Sequence, residues 1–84
     1  MTKEEDYKNN PEPSYYTGTK YGYSAKDIVE DFELGYNLGT TISYILRAGK
    51  KLGNPVEQDL QKAINHIHFE LDRIFKEAEA AKED

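Results

Sequence analysis

The sequence predicts an all-α protein, with two short helices and one long C-terminal helix gathered into an oligomeric helical assembly. Three observations predict it. Apolar residues recur at the 3.6-residue helical period over three stretches. Capping residues and glycines punctuate those stretches where helices should start and stop. The third stretch is far longer than the other two, so its apolar stripe exceeds what a single protomer covers.

Residues 1–14 combine charge, asparagine and two prolines with almost no apolar content, the composition of a flexible acidic arm that cannot offset its own ordering entropy. A single helical domain is expected over residues 15–80. It opens with "YYTGTKYGY", residues 15–23, whose four tyrosines and two glycines suit an ordered loop with rings packed on core, neighbour or ligand. The first helix, about 24–34, begins at Ser24, because Asp27 three residues on completes a capping-box pattern ahead of Ile28, Val29 and Phe32. Gly35 is its expected stop.

Asn37 is the expected cap of a second helix, about 37–48, in which Leu38, Ile42, Ile45 and Leu46 follow the i, i+4, i+7, i+8 rule. Gly49 ends it, and Gly39 just inside it permits close helix approach. The third helix, about 55–80, carries Asn54 as cap, Pro55 in the first turn and Glu57 three residues after the cap. Val56, Leu60, Ala63, Ile64, Ile67, Leu71, Ile74 and Ala78 form its stripe, with Phe75 at the edge. At ~1.5 Å per residue such a helix is roughly 39 Å long, more than two short helices cover. The uncovered stripe, and Phe69 on nearly the opposite face, point to other subunits. Residues 81–84 are a frayed tail.

The 84 residues are 37% hydrophobic and 32% charged, which bounds the chain to one small domain. A chain this short buries only about 60% of its unfolded surface. There are no cysteines, so neither a disulfide framework nor a thiolate metal site staples it. No run approaches the ~18 apolar residues of a membrane span, and the N-terminus lacks an apolar signal core. The expectation is a soluble cytoplasmic protein. A net charge of -5 argues against general binding to duplex nucleic acid, yet leaves room for a small anion in a local cationic pocket.

The candidate pocket is the cationic end of the second helix. Arg47 points away from the apolar stripe on the helical wheel, with Tyr44 one turn earlier on the same side, and Lys50 and Lys51 follow Gly49. One reading has these cations offsetting the helix dipole in solvent. The other is a phosphate site, in which Arg47, Lys50, Lys51 and Lys20 bind phosphate while Tyr44, Tyr15, Tyr16, Tyr21 and Tyr23 contact a base or sugar.

No G-x-x-x-x-G-K-[ST] loop is present. His66 and His68 diverge by about 200° on a helix and cannot chelate one metal together. His68 sits at the stripe edge, and His66 lies on a flank with Asp59, Lys62, Glu70 and Arg73 that reads as a solvated or intersubunit ion-pair face. Asp27, Glu30 and Asp31 read as a solvated helix face, with Mg²⁺ binding the alternative. No serine has a convincing base by spacing, so no catalytic residue and no metal ligand is assigned.

The segments "YGYSAKDIVEDFELGYNLGTTISYILRAGKK" and "VEQDLQKAINHI" resemble a small phage-encoded domain family of unknown function, often described as nucleotide-kinase-like, over roughly residues 14–75. The Leu38, Gly39, Tyr44, Arg47, Ala48, Gly49, Lys50, Lys51 set carries the resemblance most specifically. Thr40 stands where the family usually has Asn, Ser43 where it has Lys, Tyr15 at an early His, and Asn65 and His66 at an aromatic pair. The resemblance implies a phage or prophage protein, in the cytoplasm of an infected or lysogenic bacterial host, that acts on nucleotides. The expected function is capture of a nucleotide or nucleotide-derived defence signal by a homo-oligomer that needs no cofactor. The alternatives are a nucleoside monophosphate kinase assembled between subunits, which would use Mg²⁺, and an interaction module that inhibits a host protein.

Overall fold

The computed structural model describes residues 14–82. The expected arm therefore lies outside the described residues apart from Ser14, which belongs to a 3-10 turn, Ser14–Tyr16. Three helices follow: α1, Ala25–Asp31; α2, Tyr36–Arg47; and α3, Val56–Lys82. The described residues thus form an all-α chain with two short helices and one long one, and α3 runs two residues past the expected end at Ala80.

Local chemistry explains the helix ends. Asp27 N–H donates to Ser24 Oγ at 3.0 Å and Ser24 N–H donates to Asp27 Oδ2 at 3.1 Å, the reciprocal capping box that the sequence predicts. The Ser24 backbone bond holds the Asp27 carboxyl below its ordinary range. The far end of α1 departs from expectation. Glu33, at φ +53°, occupies the left-handed position, with Glu33 N–H donating to Glu30 O and Leu34 N–H to Val29 O. This is a Schellman closure, and it ends α1 at Asp31 rather than at Gly35. Gly35 instead precedes α2 as its N-cap, with no side-chain cap bond, so Asn37 is not the cap. Its amide donates to Glu70 Oε1 at 3.4 Å instead, drawn off the helix end by a partner on α3. After α2, Ala48 at φ -51° and ψ 123° and Gly49 at φ +78° form a type II turn closed by Lys50 N–H to Arg47 O, 2.9 Å.

Helix α2 is the hub, packing on α3, on α1 and on the 3-10 turn. A Cβ on Gly39 would sit 3.1 Å from Val29 Cγ1, so this glycine does permit the close approach of α1. Against α3 the hairpin is antiparallel and held by polar rungs, Arg47 with Asp59 and Asn37 with Glu70, and between them Thr41 Oγ1, whose hydroxyl donates to Asn37 O at 2.8 Å, lies 3.5 Å from Ala63 O.

That seam corrects the sequence reading of where α3 packs. Its buried positions are Asp59, off the stripe, and Ala63, the stripe residue on the edge nearest Asp59. Val56, Leu60, Ile64, Ile67, Leu71 and Ile74 remain 42–46% exposed, and Phe75 60%. Among the described residues the buried apolar side chains are Ala25 and Ala63 alone. No described helix is long and apolar enough to cross a membrane.

Candidate functional site

Arg47 sits where α2 meets α3 and the 3-10 turn. One guanidinium nitrogen, Nη2, donates to Asp59 Oδ1 at 2.6 Å, and Nη1 donates to the Tyr16 hydroxyl at 3.3 Å. The guanidinium carbon lies 4.8 Å from the Tyr44 ring centroid, a cation–π distance. The hydrogen bond from Arg47 holds the Asp59 carboxyl below its ordinary range, and the same bond raises the Arg47 guanidinium further. Asp59 is fully buried and Arg47 is 8% exposed. Both earlier readings of Arg47 change accordingly: it is neither a solvated dipole partner nor an unencumbered phosphate clamp. The wheel gives its direction correctly, away from the apolar stripe, but that direction is the polar seam.

A cavity of about 430 Å³ opens beside it, between α1, α2 and Tyr16. Helix α2 contributes Tyr36, Thr40, Ser43, Tyr44 and Arg47 from one face at helical spacing, and Lys26 of α1 stands across from them. Val29, Leu34 and Gly39 supply its apolar floor. Two cations and five hydroxyls line it, without a carboxylate.

The sequence-predicted residues divide among three places. Arg47, Tyr44 and Tyr16 line this cavity. Tyr15, Tyr23 and Lys50 line a separate hollow of about 180 Å³ that also touches Tyr16. Lys50 Nζ donates to Leu46 O at 2.6 Å, the helix-end role of the dipole reading. Lys51 Nζ lies 5.8 Å from the Tyr15 ring centroid, and Lys20 Nζ lies 5.2 Å from that of exposed Tyr21. Lys20, Lys50, Lys51 and Tyr21 therefore do not line the cavity with Arg47. Lys26, Tyr36, Thr40 and Ser43 were missed, although the wheel that places Tyr44 and Arg47 together also places the last three beside them.

The histidine flank is also corrected. His66 is partly buried, 5.8 Å from both the Tyr36 and Tyr44 ring centroids and 5.2 Å from that of Phe69. Lys62 Nζ reaches the Tyr44 ring at 5.5 Å. With Asp59 and Glu70 in the seam, this flank is the interhelix contact, and its solvated portion is Arg73, which reaches from Glu70 to exposed Glu77. Among the described residues no three His, Cys, Asp or Glu side chains converge on a point that could hold a metal. The arrangement can bind a small anion that also offers hydroxyls and a flat apolar surface. Compared with protein-family models, with curated proteins and with solved structures, the chain has no match, so the reading of this site rests on its own geometry.

Proposed function

We propose that this chain captures a small phosphorylated ligand of the nucleotide class in the α1–α2 cavity, as a protomer of a homo-oligomer, and holds the ligand unchanged. The observation that carries this reading is the cavity lining: Lys26 and Arg47 as cations, five hydroxyls for sugar and phosphate oxygens, aromatic rings for a base, and no carboxylate to repel the anion. Arg47 is partly neutralised by Asp59 and Lys26 by Glu30, so the two cations share the attraction. The phage-type resemblance of the "RAGKK" segment extends the ligand class to nucleotide-derived defence signals. Phosphoryl transfer needs metal-holding carboxylates beside the phosphates, and the lining has none, which favours capture over a kinase.

Calorimetric titration with nucleoside monophosphates, nucleosides and inorganic phosphate tests this. Binding of the monophosphates is expected, weakened about tenfold to hundredfold in Lys26→Ala, the loss of a charge-assisted bond of roughly 1.5–3 kcal/mol. Lys26 pairs with Glu30 at 3.6 Å on an exposed surface, so stability should barely move. Absence of binding, or release of a diphosphate after incubation with ATP and Mg²⁺, would overturn the reading.

A further inference from the structure

A hydroxyl is one donor and two acceptor lone pairs, so a bond already made inside the protein decides what it still offers a ligand. Two hydroxyls lining the α1–α2 cavity are decided in this way. Arg47 Nη1 donates to the Tyr16 hydroxyl at 3.3 Å, and a guanidinium has no acceptor, so the tyrosine's own proton is left to donate elsewhere. Ser43 is the reverse case. Its hydroxyl donates to Gly39 O at 3.0 Å, and only its lone pairs remain.

We infer that these two hydroxyls fix the direction in which a nucleoside phosphate lies in the cavity: Tyr16 donates to the phosphate at the Arg47 end, and Ser43 accepts from a sugar hydroxyl one turn earlier along α2. The inference rests on the nucleotide reading of the cavity and assigns its phosphate and sugar positions.

Arg47 is poorly placed to clamp the anion by itself. Its Nη2 donates to the buried Asp59 carboxylate, and its Nε is enclosed without a partner. Its charge reaches the ligand through Tyr16, because a hydroxyl that accepts from a cation becomes a stronger donor, each bond of such a chain polarising the next. A phosphate dianion offers acceptors only, so it suits the Tyr16 proton. Placed against Ser43 it would set lone pairs on lone pairs. A sugar hydroxyl carries the proton that Ser43 needs.

The spacing along α2 agrees with a sugar beside its phosphate. Ser43 and Arg47 stand four positions apart on one face, with Cβ atoms about 5–6 Å from each other. Lys26, across the cavity on α1, can only donate, and it adds attraction for the anion without competing for the sugar proton.

Two variants and two ligands test the assignment by calorimetry. The ligands are a ribonucleoside monophosphate and its dideoxy counterpart, which keeps the phosphate and lacks both remaining sugar hydroxyls. Tyr16→Phe keeps the ring and removes the donor, so it should weaken both ligands alike, by about tenfold to hundredfold for a bond to a charged group. Ser43→Ala places a strong helix former inside α2 and should leave the fold intact. It should weaken the ribonucleotide by about threefold to tenfold and leave the dideoxy ligand unchanged, since the partner hydroxyl is already gone. Helical circular dichroism checks that each variant is folded; should Tyr16→Phe not fold, the Ser43 comparison decides alone. A wild-type protein that binds neither monophosphate overturns the nucleotide reading and this assignment together. Wild-type binding that Tyr16→Phe leaves unchanged, or a Ser43→Ala loss that is absent or equal for the two ligands, overturns the assignment and leaves capture standing.

Discussion

Removing Arg47 should unfold much of the protein rather than merely empty a binding site. Arg47 Nη2 and Asp59 Oδ1 are 2.6 Å apart, and their side chains are 9% and 0% exposed. Deleting one partner leaves the other charge buried, at a cost of about 3–5 kcal/mol. An 84-residue chain at about 0.05–0.15 kcal/mol per residue has roughly 4–13 kcal/mol in total. Arg47→Ala should therefore lower Tm by about 12–40 °C, at ~4–8 °C per kcal/mol for a domain of this size. Replacing both partners with apolar residues, Arg47→Met with Asp59→Leu, leaves no orphan charge, so the double variant should be more stable than either single one. Acid adds an independent signature. Arg47 depresses the folded-state pKa of Asp59 below its unfolded value of about 3.9. The pair's contribution is then complete above that unfolded value and lost as pH falls below about 4 through the folded value. Thermal melts from pH 7 to pH 2 should show that loss in the wild type and not from this group in Asp59→Asn. A change under about 1 kcal/mol for Arg47→Ala, the size of an exposed pair, would refute the buried pair.

Three further substitutions probe the elements that position the cavity. Glu33→Gly should stabilise by about 0.5–1 kcal/mol, because Glu33 holds φ +53° where glycine has no Cβ penalty; an unchanged or lower Tm would count against the closure. Ser24→Ala should cost about 0.5–2 kcal/mol by removing the α1 cap seen at 3.0 Å, measured by urea unfolding, and a neutral result would mean that α1 is held without it. Gly39→Val should cost about 1–3 kcal/mol, since even its Cβ falls 3.1 Å from Val29 Cγ1, and should also reduce ligand binding by displacing α1; an intact melt would show that α1 moves freely.

What the sequence makes legible is what neighbouring residues decide. The Ser24–Asp27 box, the left-handed Gly49 and the length of α3 each follow from groups within a few positions of one another. Gly35 misleads as a helix stop because Glu33 accepts the left-handed position once the Glu30 and Val29 carbonyls find donors. Arg47 misleads because its partner, Asp59, lies twelve positions away across a turn, and no wheel of α2 alone reveals it. The cationic run fails as a single site for a related reason. The type II turn at 47–50 sends Lys50 back to Leu46 and Lys51 toward Tyr15, so neighbours in sequence do not share one cavity.

The separation of seam from stripe has a physical logic. An apolar stripe is non-directional, so sliding one helix along another by a turn replaces one aliphatic contact with a similar one. The α2–α3 seam does not slide that way. Arg47 must meet Asp59 while Thr41 meets Ala63 and Asn37 meets Glu70, and a shift of one turn buries an unpaired aspartate. Polar rungs thus set the register of the hairpin. Apolar area, relieved of that task within the protomer, is left on the outer face of α3.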